Sequence, residues 1–162
     1  MNLTTSQLQT LKADIAAQTD PTFVTYRQQG ATGAMADWYN QPSTFVCWRT
    51  NVPADDIGNA WVGTDIDGMS ALNMQRLQLL LQSSRAGVFD MSRADRRAGF
   101  ENPFGTNANN ASRVAMRDAW KRFANRGERL FVTGTGTSAS PGAFLVEGNV
   151  TNTNIVDALS LP

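Results

Sequence analysis

Residues that stop helices punctuate this chain from end to end: Pro21, Gly30, Pro42, Pro53, Gly87, the run Asn102, Pro103, Phe104, Gly105, and Gly127. Proline has no amide to donate and its ring collides with the preceding turn, while glycine ends a helix by turning left-handed at low cost. Whatever fold forms must be assembled from short helices joined by loops.

The apolar spacing between these stops places the helices. Thr4 caps a first helix, with Gln7 reaching back as the third helical residue and Leu8, Leu11 and Ile15 forming one stripe. Asp20 and Pro21 read as N-cap and first residue of a second, which carries Phe23, Val24 and Tyr26 and closes at Gly30. A third covers 34–40 and ends at Pro42. An extended apolar run from residue 44 passes into a helical turn begun by Pro53, with Asp55 and Asp56 where the helix dipole favours acids. A core helix follows in which Met74, Leu77, Leu80 and Leu81 share a face. Ser92 with Asp95 starts a short basic helix that 102–105 terminates as a turn. Asn110 or Ser112 opens the longest polar helix, with Met116, Trp120 and Phe123 on its packed face and Asp118 placed to pair with Arg122 at i+4. Phe45, Trp48, Leu77, Leu80, Leu81, Trp120 and Phe123 are the expected core.

After Gly127 the pattern changes. Two β-prone runs, RLFVTG and GAFLVEGNV, flank a loop made almost entirely of Gly, Thr, Ser, Ala and Pro. The fold class expected is therefore mainly α, a bundle of several short helices, with a C-terminal β-hairpin or extended β-arm. A helical region over 1–129 and an arm and tail over 130–162 belong to the same single domain, since 162 residues with 41% hydrophobic content suffice for one compact core burying about 70% of the unfolded surface.

Only 17% of residues are charged, below the roughly 25% of an average soluble domain, so much neutral polar surface faces water or partners. The net charge is zero but unevenly spread: residues 1–75 hold three basic against seven acidic residues, and residues 76–162 hold eleven against seven. Such polarity suits head-to-tail contact between copies at least as well as nucleic acid. No apolar run is long enough to span a membrane, and the first twelve residues lack the basic and apolar regions of a secretory signal, so the expectation is a chain made in the cytosol. The one cysteine, Cys47, reads as a small buried hydrophobe.

The chain contains no histidine, which removes the Ser-His-Asp and Cys-His constellations and the commonest metal ligand. Asp65 and Asp67 before Gly68 lack the further ligands of a calcium loop and read as capping and turn residues. The glycine-rich loop has no basic residue and leads into a strand, so it is no phosphate cradle. No enzyme activity and no cofactor are expected. The basic run from Arg85 to Arg129 interleaves ten positive with five negative residues and carries no helix-turn-helix spacing, which favours a solvated or subunit-facing surface over one reading DNA.

Two stretches carry a family resemblance: Trp48, Arg49, Thr50, Val52 and Pro53, and the run from Lys121 through Thr137 that ends at Glu147 and Gly148. Over roughly residues 44–150 the chain resembles small virion proteins of tailed bacteriophages. The resemblance implies a non-enzymatic structural part of the particle, made in the bacterial cytoplasm. A head-to-tail adaptor, a subunit of a twelvefold neck ring between the portal and other neck or tail proteins, fits a helical domain with a β-arm. DNA would pass through its lumen unread, and no membrane is involved. The alternatives are a tail-tube, tail-tip or capsid-surface protein, and a DNA-binding packaging accessory. On this reading Thr133, Gly134, Thr135, Gly136, Thr137, Ser138, Ala139, Ser140, Pro141 and Gly142 form the intersubunit arm, disordered in a free monomer, which adds a strand to a neighbour. Arg117, Lys121, Arg122 and Arg126 form the basic contact surface toward an acidic neighbour.

Overall fold

The computed structural model describes residues 1–84 and 86–162. In chain order its elements are α1 (Thr5–Ala17), α2 (Pro21–Gln28), α3 (Thr32–Tyr39), β1 (Pro42–Trp48), β2 (Val52–Pro53), α4 (Ala54–Asn59), α5 (Gly63–Asp67), α6 (Ala71–Gln82), β3 (Val88–Phe89), α7 (Ala94–Glu101), α8 (Ala111–Ala119), β4 (Lys121–Asn125), α9 (Arg126–Arg129), β5 (Val132–Thr133), β6 (Ala143–Phe144) and α10 (Asn152–Ser160). The chain is mixed, 53% helical with small antiparallel strand pairs. The strands pair as β1 with β4, β2 with β3, and β5 with β6.

The chain divides into two compact units, one of Met1–Cys47 with Phe123–Pro162 and the other of Trp48–Arg122. The C-terminal residues thus fold with the N-terminal ones, and the chain passes from one unit to the other at 47/48 and 122/123. Each unit has its own apolar cluster.

In the first unit the caps act as their residue types require. Thr4 and Gln7 form a capping box on α1, and Asp20 accepts from the amides of Thr22 and Phe23 at the start of α2. Leu11, Ile15, Phe23, Met35 and Tyr39 are buried against Ile155 and Ala158 of α10, which packs on α1 and α3. Helix α10 was not foreseen. Its signal is a capping box with asparagine in the glutamate position, Thr151 and Asn154. The segment before it is pinned by Asn40, whose side chain bonds the Val150 amide and carbonyl, and by Glu128, whose carboxylate accepts from the amides of Asn125 and Gly148.

In the second unit Val52, Ile57, Leu77, Phe89, Met91, Phe100, Met116 and Trp120 are buried together. Pro53 precedes α4 and Asn110 caps α8, as expected. Asp65 accepts from the amide and hydroxyl of Ser112, which ties α5 to α8 and holds its carboxyl below the ordinary range.

Several expectations are corrected. The helix expected to run through Phe123 stops at Ala119, and residues 121–125 are strand. The Trp120 carbonyl is taken by the Arg49 amide, and the Ser43 hydroxyl donates to the Ala124 carbonyl. Long-range pairing with β1 therefore overrides the helical spacing. Phe123 leaves the core and stands 62% exposed. Asp118 pairs with Lys121 and not with Arg122, because Arg122 is no longer on its helix. Ser92 bonds Asp90, and Arg93 occupies the N-cap position of α7. Of the other expected core residues Leu77 and Trp120 are fully buried, whereas Phe45, Trp48, Leu80 and Leu81 are half-buried. The β-prone runs pair over only two residues each, Val132 with Phe144 and Thr133 with Ala143.

Candidate functional site

Residues 134–142 fold back on their own unit. The Val46 amide donates to the Gly136 carbonyl and the Gly142 amide donates to the Val46 carbonyl, both at 2.8 Å. Gly134 and Gly136 have φ of 97° and 67°, and Gly136 and Gly142 bring bare backbone against the Phe45 ring. Two backbone hydrogen bonds and cover for the Phe45 ring thus attach this segment to β1. The outer edge, Thr137 to Ser140, closes as a turn and is exposed.

The four expected basic contact residues lie on three elements. Arg117, on α8, donates two hydrogen bonds to Glu101 at 2.6 and 2.8 Å, and Arg113 adds another at 2.8 Å. Burial pushes the Glu101 carboxyl up, but these bonds and charges outweigh it and hold the group below its ordinary value. Glu101 and its two arginines thus pin α7 to α8. Lys121, on β4, pairs with Asp118 at 3.2 Å, and Arg122 is its neighbour on that strand. Arg126 opens α9.

Arg126 is placed by a signal not read from the sequence, the capping box of Asn125 and Glu128. Its guanidinium lies 4.1 Å from the Trp38 ring centroid, a cation–π stack. Trp38 is held in turn against Phe23 and Tyr39, with centroids 4.7 and 5.2 Å away. Nη1 of Arg126 is buried and has no hydrogen-bond partner. Arg126, Trp38 and Tyr39 line a groove of about 920 Å3 together with Asp14, Phe123 and Arg129.

The groove's own acid is bonded to neighbours on the groove wall and not to an arginine. Oδ2 of Asp14 accepts from the Tyr39 hydroxyl at 2.6 Å and the Gln18 amide at 2.8 Å. Burial, then the bond to Asp14 and its charge, push the Tyr39 phenol far above its ordinary value. Neither Arg126 nor Arg129 has an acidic partner among the described residues.

No family model, curated protein or solved structure matches this chain. The geometry alone defines what the groove can do. It offers a guanidinium held against an indole ring, a second cation one helical turn on, and an exposed phenyl ring: a set for holding an anion beside an apolar group. Among the described residues no group of three His, Cys, Asp or Glu could hold a metal ion, and no helix is long and apolar enough to cross a membrane.

Proposed function

We propose that this chain is a non-enzymatic structural component of a tailed-phage particle, a head-to-tail adaptor subunit that acts as one member of a ring beneath the portal. The reading rests on the resemblance carried by residues 48–53 and 121–148. The observation that supports a partner-binding role is the groove of the first unit, where Arg126 and Arg129 stand without acids beside the exposed Phe123. Charged and aromatic groups prepared in this way are what a protein interface uses as anchors.

In this reading the exposed turn of the glycine loop, Thr137 to Ser140, meets the neighbouring subunit. Its neutrality keeps the desolvation cost of that contact low. The chain takes no cofactor and turns over no substrate.

The test is particle composition together with oligomeric state. Purified particles should contain the chain in fixed stoichiometry with the portal, and the purified protein with its neighbours should give rings in negative stain. Particles that assemble and infect without the chain would remove the proposal.

A further inference from the structure

The first unit holds four basic side chains and six acidic ones. Two of the four cations are used within the fold. Arg27 donates to the carbonyls of Ile15 and Ala16 at the end of α1, and Lys12 donates to the carbonyl of Leu161. The side chains of the remaining two, Arg126 and Arg129, have no hydrogen-bonded partner among the described residues, and both line the groove beside Trp38. Concentrating the available cations of a net acidic unit in one groove is a local arrangement for a small number of negative charges.

We propose that this groove is a peptide-recognition site for a partner protein, taking an aspartate or glutamate side chain on Arg126 and the adjacent apolar residue of the same peptide against Phe123. The proposal names the partner-binding site of the adaptor reading, but the test below bears on the groove whether or not the chain sits in a particle.

Each feature of the ligand follows from an observed feature of the site. The Trp38 ring lies 4.1 Å from the Arg126 guanidinium carbon and keeps the cation on this wall of the groove. A carboxylate can accept two parallel hydrogen bonds from a guanidinium, which a spherical ion cannot. Arg126 and Arg129 put two cations on the groove without an acidic partner in the fold, so a ligand carboxylate meets charge that is not already paired. Phe123, 62% exposed, adds apolar surface on the same wall, which a free inorganic anion would leave in water. A polyphosphate backbone is the poorer fit, because six acids in this unit repel it and only two cations face it. One carboxylate in an otherwise neutral peptide brings far less charge against those acids than a polyphosphate does.

The experiment is a titration of the full-length chain, followed by the indole N–H resonance of Trp38 in nitrogen-15 correlation spectra. The probe is N-acetyl-Asp-Phe-amide at millimolar concentration, a range suited to an isolated dipeptide. The Trp38 resonance should shift saturably, and N-acetyl-Asn-Phe-amide should bind about tenfold more weakly, since it keeps the shape and loses the charge-assisted bond. Arg126→Met should lose at least about tenfold and Arg126→Lys should fall between, because lysine keeps charge without the fork. Unfolding midpoints of both variants show whether the fold is kept, and the Asp-to-Asn comparison needs no variant at all. Equal binding of the two dipeptides, or no shift at Trp38, overturns the proposal. So does tighter binding of an oligothymidylate than of the acidic dipeptide at the same resonance, which would make the groove a nucleic-acid site.

Discussion

Phe45 packs its ring into the space that a β-carbon on Gly136 would need. The contact holds the glycine loop on β1, and it explains why the loop's composition is not simply a recipe for flexibility. Gly136 also has φ of 67°, where a side chain is strained by its own backbone.

Gly136→Ala should therefore cost about 2–4 kcal/mol, combining left-handed strain with overpacking against the ring. Gly33, in α3, has nothing within 4 Å of a new β-carbon. Gly33→Ala should instead add up to about 1 kcal/mol through helix propensity and a less flexible unfolded chain. Urea unfolding of the two variants checks both signs.

Trp120 and Phe123 lie three residues apart and read alike in the sequence, yet the first is fully buried and the second 62% exposed. Trp120→Ala should cost about 3–5 kcal/mol as a large core cavity. Phe123→Ala should change stability by no more than about 0.5 kcal/mol. Equal losses in chemical denaturation would place Phe123 back in a core.

Glu101 carries the attachment of α7 to α8 through Arg113 and Arg117. Glu101→Gln should cost about 1–3 kcal/mol, less than for a fully buried pair because the Arg117 side chain is 31% exposed. The folded state holds this carboxyl below its ordinary value of 4.5, so the unfolded chain takes up the proton first as pH falls. The contribution is complete above that value and is lost as pH drops from it through the folded value. Stability measured against pH should show this acid decline, and Glu101→Gln should remove its share.

Tyr39 gives the opposite dependence. Burial and Asp14 raise its phenol above the ordinary 10.0, so the unfolded chain ionises first as pH rises past 10.0. Its contribution is complete below that pH and declines above it. Tyr39→Phe should cost about 1 kcal/mol at neutral pH, through the bond lost by Asp14, and should flatten the alkaline decline followed by circular dichroism.

The starts of α1, α2 and α8 were legible at Thr4, Asp20 and Asn110, because a cap satisfies amides two or three residues away and asks nothing of the rest of the chain, and that of α4 at Pro53, whose fixed φ suits the entry to a helix. The short helical character followed from the prolines and glycines for the same local reason. The absence of histidine was equally a property of the sequence itself.

Other features needed partners distant along the chain. Residues 121–125 carry a helical spacing and still form a strand, since β1 supplies hydrogen bonds that a helix there would forgo. Arg126 was grouped, by sequence, with Arg117, Lys121 and Arg122 in one basic surface. Tertiary packing gives them different partners: Arg117 goes to Glu101, and Arg126 goes to Trp38, a residue no spacing rule connects to it. Local chemistry set where elements begin, and long-range contact set which side chains remained open for a partner.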